Sequence, residues 1–159
     1  MIKVTVIAVG RLKEKFFIGA AEEYIKRLSK YCELNIIELN DKQPLSTPSQ
    51  KEIEIQLKKE AQSIALKIPK NSAVIPLCIE GKELSSEDFA EKISDFENSG
   101  KNLCFIIGGS WGLSDEIKSL AAFKLSFSKM TFPHKLFRVM LLEQIYRAFK
   151  INEGSKYHK

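Results

Sequence analysis

Asn102-Leu103-Cys104-Phe105-Ile106-Ile107-Gly108-Gly109-Ser110-Trp111-Gly112 is the stretch on which the reading of this chain turns. An unbroken apolar run closed by glycines has the length and composition of a strand covered on both faces, and such strands belong to parallel sheets. Parallel neighbours need a crossover between them, usually a helix. Helical patterns do flank the run, at 85–98 before it and 114–121 after it. Ser114 precedes Asp115 and Glu116, acids suited to the positive end of a helix. Ser85 stands three residues before Asp88, close to a capping box. Further out, the same alternation repeats. Strands are expected at 2–9, 33–39, 72–79 and 123–128, and helices at 14–30, 49–68 and 134–151. Ser49 with Glu52 marks the start of the second of these helices. The stretch 40–48, with Pro44 and Pro48, reads as a loop. Strand alternating with helix implies an α/β fold with a mostly parallel sheet flanked by helices.

The chain has 159 residues, which is about one domain, so a single domain over 1–159 is expected. With 44% hydrophobic and 28% charged residues it is unlike a disordered, collagenous or coiled-coil chain. No apolar run approaches the ~18 residues of a membrane span. Met1 to Gly10 reads as a strand rather than a signal peptide, since Lys3 interrupts it and no small-residue cleavage site follows. Cys32, Cys78 and Cys104 are odd in number and widely spaced. They read as reduced thiols in a cytoplasmic protein, with no metal site.

The formal charge of +5 is unevenly placed. Residues 1–128 hold 18 basic and 18 acidic side chains, while 129–159 hold seven basic against two acidic. The same final segment carries both histidines, His134 and His158. A local basic excess attracts polyanions, RNA foremost in a cytosol, though a solvated tail has the same composition.

In open α/β sheets, ligands bind beyond the carboxyl ends of the strands. Three turns there stand out: Glu80-Gly81-Lys82, Gly108-Gly109-Ser110-Trp111-Gly112, and Lys129-Met130-Thr131-Phe132-Pro133-His134. The glycine turn lacks the G-x-G-x-x-G pattern and there is no Walker lysine, which argues against a phosphate cradle. Three glycines in five residues demand unusual backbone or close approach, by a ligand or within a tight turn. Trp111 at its tip suits stacking on a base, packing on a partner, or capping the turn. The last helix is apolar over most of its circumference, from Leu136 and Phe137 to Ala148 and Phe149, with a narrow polar stripe of Glu143, Arg147 and Lys150. Such a helix must be covered on two sides, by a second subunit or by a central place in the core.

At these residues the chain resembles a known family. The runs 106–113, 125–134 and 143–149, the terminal Tyr157-His158-Lys159, and the opening Ala8-Val9-Gly10-Arg11-Leu12-Lys13 look like the RlmH family. These are small SPOUT methyltransferases that modify a pseudouridine of large-subunit ribosomal RNA. The resemblance covers the whole chain, with the motifs in order at matching spacing. It implies a SPOUT-type α/β knot, its C-terminal region threaded as a trefoil, and a homodimer. It also implies S-adenosyl-L-methionine as cofactor, held by Leu77, Gly108 and the run Phe127-Ser128-Lys129-Met130-Thr131-Phe132. The residues suit that assignment, because adenine needs an apolar slot with peptide groups at its edge. Trp111 departs from the family's pattern and takes no role from it.

The reaction so implied is methylation of N3 of a pseudouridine in 23S ribosomal RNA, on assembled ribosomes. That nitrogen is an imide whose proton must leave as the methyl arrives. Positioning supplies much of the catalysis, and a base or a group stabilising the anion adds to it. His134, Arg138, Arg147, Tyr157 and His158 are the candidates. Histidine takes a proton near neutral pH, whereas arginine stays charged and suits phosphate or carbonyl oxygens. The tail is short enough to serve its own subunit or to reach a partner's. Two other readings stay open: a ribosome-binding factor without catalysis, and a SPOUT enzyme acting on transfer RNA.

Overall fold

The computed structural model describes residues 1–41 and 47–159. Most of the loop expected at 40–48, Pro44 included, lies outside the described residues. The elements run β1 (Lys3–Val9), α1 (Lys15–Leu28), β2 (Glu33–Leu39), α2 (Gln50–Lys67), β3 (Ser72–Glu83), α3 (Ser86–Asn98), β4 (Asn102–Ile107), α4 (Asp115–Lys118), β5 (Leu125–Ser126) and α5 (His134–Asn152). All strand pairs are parallel, in the order β2-β1-β4-β3-β5. The apolar run that decides the sequence reading is β4. It sits at the centre, between β1 (Val4 opposite Leu103) and β3 (Ala73 opposite Leu103), and Leu103 to Ile107 are all buried.

Side chains alternate across the sheet as a pleated strand requires. Val4, Val6, Ala8, Leu103, Phe105, Ala73 and Ile75 pack against α1, α3 and α5. Ile7, Val9, Cys104, Ile106 and Val74 pack on the other side, with Ala61 and Ile64 of α2 and Ile117 of α4. Two layers of helix thus enclose the sheet, which is why its central strands carry no polar face. Burial pushes the thiols of Cys32 and Cys104 up to about 12, as befits small core residues. All three expected caps form: the hydroxyls of Ser49, Ser85 and Ser114 accept from the N–H groups of Glu52 (3.2 Å), Asp88 (3.0 Å) and Ile117 (3.3 Å).

Three boundaries differ from the sequence reading. The expected turn Glu80-Gly81-Lys82 is strand, for β3 continues to Glu83. Its extension is paired by the Lys82 N–H donating to Lys124 O at 2.8 Å, and a Cβ on Gly81 would lie 2.7 Å from the Leu125 carbonyl carbon. Only glycine permits that approach. The strand expected over 123–128 reduces to Leu125–Ser126, and the helix over 114–121 to the single turn Asp115–Lys118. Helix α5 lies against α1 and α3, with Leu141, Leu142, Ile145 and Ala148 fully buried. Much of its apolar circumference is therefore covered within the chain, leaving Leu136 exposed and Val139 and Met140 half-buried. No helix of the described residues is long and apolar enough to cross a membrane.

Candidate active site

The carboxyl ends of β3, β4 and β5 meet at one end of the sheet and enclose a cavity of about 200 Å³. Leu77 of β3, Gly108 after β4, Phe127, Ser128 and Phe132 after β5, and His134 at the start of α5 all line it. The glycine turn is closed on itself. A Cβ on Gly108 would stand 2.5 Å from Gly112 O, the Gly112 N–H donates to Gly109 O at 3.1 Å, and Gly112 takes φ +75°. Gly108 is therefore required first by the turn, whose shape in turn sets the cavity wall. Opposite it, the loop after β5 is held by two serines. Ser126 Oγ donates to Ser128 O (3.0 Å) and Ser128 Oγ accepts from the Met130 N–H (3.0 Å). Phe137 anchors the aromatic wall, with ring centroids 5.3 Å from Phe127 and 5.6 Å from Phe132.

Five of the eight expected cofactor residues thus line one cavity, while Lys129, Met130 and Thr131 form the exposed crest of its loop. The apolar walls and the peptide edges at 108 and 127–132 fit a nucleoside. The volume falls below the ~300 Å³ at which whole drug-sized ligands are enclosed, so a larger ligand would fit only in part. Residues to which the sequence reading gave no binding role also contribute. Cys78 lines the cavity with its thiol raised by burial, and Lys118 Nζ pairs with Glu80 at 2.5 Å across it. That bond lowers the Glu80 carboxyl and raises the Lys118 ammonium. Glu80 stood in an expected turn and Lys118 in an expected helix, and no local pattern announces a pair between them.

The five expected catalytic residues fall into two groups. His134 is half-buried in the cavity wall. Arg138, one turn on, is 4% exposed and committed: its guanidinium donates to Glu38 and, at 2.9 Å, to Gly10 O. The others gather further along α5. Arg147 donates to Glu143 Oε1 from Nε (3.0 Å) and Nη2 (2.6 Å), which raises its pKa. Its guanidinium carbon stands 4.8 Å from the centre of the Tyr157 ring. The Tyr157 hydroxyl donates to the same Glu143 oxygen at 3.2 Å, and its pKa is raised by burial and then by Glu143. His158 bridges Arg147 Nη1 (3.3 Å) and Glu87 Oε1 (2.6 Å), and the Glu87 carboxyl is lowered by that bond. Thirteen residues of helix, about 20 Å at 1.5 Å each, separate His134 from Arg147. A groove of about 450 Å³ between them is bounded by Phe127 at one end and Glu143 at the other.

A family model described as "Predicted SPOUT methyltransferase" matches residues 2–158. The chain belongs to the SPOUT methyltransferase family. It is 53% identical over 157 residues to the ribosomal RNA large subunit methyltransferase H of Clostridioides difficile, spanning 98% of this chain and 99% of that one. The protein of the same name from Clostridium novyi is 54% identical over the same spans. Among solved structures, a methylase family protein from Neisseria gonorrhoeae superposes with a TM-score of 0.54 at 13% identity, over 91% of this chain and 81% of its own. The tRNA (m1G37) methyltransferase of Aquifex aeolicus gives 0.50 at 10% identity, over 91% and 69%. At such identities these two show the fold alone, which is the SPOUT α/β fold expected from the sequence.

Proposed function

We propose that this chain is an S-adenosyl-L-methionine-dependent methyltransferase acting on N3 of a pseudouridine in 23S ribosomal RNA, on assembled ribosomes, as a cytoplasmic homodimer. The observation that carries the reading is the convergence of Leu77, Gly108, Phe127, Ser128 and Phe132 on one apolar cavity beside His134. Relatives that match nearly the whole chain at over 50% identity bear the name of a ribosomal RNA methyltransferase. The cofactor, when bound, supplies an activated methyl carbon. The chain's own part is to hold and orient it: the Gly108 turn and the 127–132 loop form the walls, and Phe137 keeps the aromatic rings in place. His134, in the cavity wall, is the group that would take or relay the imide proton. Arg147, with Tyr157 and His158, offers a fixed cation and an aromatic face to the anionic, planar target. The ~20 Å along α5 between the two groups favours a site assembled from two subunits, the tail of one completing the cavity of the other. Pairing of Arg147 with Glu143 holds the cation ready while leaving its edge toward His158.

Transfer of labelled methyl from S-adenosyl-L-methionine to 70S ribosomes, free 23S ribosomal RNA and bulk transfer RNA, with the product nucleoside identified, tests the reading. Label in N3-methylpseudouridine from the ribosome is expected. Label only in transfer RNA, or none with any acceptor, would overturn it.

A further inference from the structure

The turn after β1 is fixed from three sides. Gly10 takes φ +107°, a left-handed backbone that side chains with a Cβ resist, and its N–H donates to Leu39 O at 2.7 Å. Arg138 holds the Gly10 carbonyl from α5. The Leu12 N–H donates to Glu38 Oε2 at 3.1 Å, the oxygen that Arg138 also engages. Arg11 and Lys13 are exposed on this pinned loop. They face a cleft of about 320 Å³ whose opposite walls are Ser110 of the glycine turn and His134, Lys135 and Arg138 of α5.

The cleft is cationic in a particular way. Lys135 is already paired with Glu14 at 2.7 Å and Arg138 with Glu38. Asp41 is, among the described residues, the one acid on its walls. Among the described residues, no carboxylate lies within ion-pair range of Arg11 or Lys13. Arg138 keeps a buried Nε with no acceptor among the described residues. The first turn of α5 adds N–H groups that have no partner within the helix, and with them partial positive charge. Two free cations, an unsatisfied guanidinium N–H and a helix start around one opening favour an anion. The position decides which anion: His134 lines both this cleft and the cofactor cavity. A nucleotide whose base reaches His134 from outside carries its backbone phosphates past that residue.

We infer that the cleft seats a backbone phosphodiester of the substrate RNA, with Arg11 and Lys13 as its free cations. The inference rests on the RNA methyltransferase reading given above. The cleft would fix the strand while the cavity positions the methyl donor, so its work is substrate binding rather than chemistry.

The test compares the wild type with Arg11→Ala/Lys13→Ala and with a charge-matched control, Lys51→Ala/Lys58→Ala, on exposed positions of α2. Affinity for 23S ribosomal RNA is measured across a salt series, affinity for S-adenosyl-L-methionine by calorimetry, and methyl transfer by label. In the Arg11/Lys13 variant, RNA affinity should fall about tenfold or more and the salt slope should drop by roughly 1–2. KM for RNA should rise more than kcat falls, and cofactor affinity should stay unchanged. The proposal is wrong if RNA affinity and slope are unaltered, or if the control loses as much. A loss of cofactor affinity with RNA binding intact would give the cleft to the cofactor's carboxylate instead. A wild type that neither binds nor methylates RNA overturns the methyltransferase reading and this inference together. A methylating wild type with an unaltered variant overturns the cleft alone.

Discussion

Gly108 and Arg138 show how differently single residues can be read. Three glycines in five positions announced a constrained turn at Gly108, and the close approach they imply is real. Its neighbour is the backbone of Gly112 rather than open space, so the constraint acts through the turn. Gly108→Val should force the turn open, at a cost of about 1–3 kcal/mol as overpacking usually brings. Cofactor affinity measured by calorimetry should fall at least about tenfold, with a melting temperature lower by several degrees for a chain of this size. Wild-type affinity in the folded variant would separate the turn from the cofactor. Arg138 was legible only as a cation suited to anions. Its partners, Glu38 and the Gly10 carbonyl, precede it by 100 and 128 residues, a distance over which sequence pattern carries no information. The structure makes it the pin of the β1 turn.

At the scale of elements, the central strands and long helices follow from the sequence because apolar periodicity and serine caps are local signals. The element ends do not follow. β3 stops at Ile79 on any hydropathy argument, since Glu80-Gly81-Lys82-Glu83 has no apolar face, yet it runs on because its partner is the backbone of Lys124 and Leu125. The cavity inherits this extension through the clasp between Glu80 and Lys118. Its pH dependence has two limbs. The lowered Glu80 carboxyl contributes stability that is present above the ordinary carboxylate pKa and is lost as pH falls through the lowered value. The raised Lys118 contributes below the ordinary lysine pKa and loses it as pH rises through the raised value. The clasp should therefore hold across the neutral range. Lys118→Met should lower the urea midpoint by a constant, small amount between about pH 6 and 9, and by less below about pH 4 as Glu80 protonates. A difference that grows in acid would mean that Lys118 acts through another group.

Across the whole molecule the sequence foretold the layers, the sheet and the loops at its carboxyl end, but the apolar circumference of α5 proved a weaker argument for a partner than it looked. The chain's own α1 and α3 cover most of it. The stronger argument is spatial, since the tail cluster on Arg147 stands about 20 Å along α5 from the His134 end. A chain lacking Tyr157, His158 and Lys159 should still fold and bind S-adenosyl-L-methionine, because these residues follow the Gly154 turn and add little to the core. It should methylate poorly. Mixing it with full-length Gly108→Val and allowing exchange tests whose site the tail serves. If the tail works across the interface, one site in each heterodimer joins an intact loop to an intact tail. Equal mixing should then restore about a quarter of wild-type activity, since half the dimers are mixed and each has one complete site. If the tail serves its own subunit, no site in the mixture is complete and activity stays at the level of the separate variants. Native mass spectrometry of the mixture, in which the three-residue deletion gives the heterodimer its own mass, confirms that dimers form and exchange. Recovery is the expected result, and its absence in a mixture proven to exchange would place the tail in its own subunit's site, where the groove from Phe127 to Glu143 would have to carry the target base.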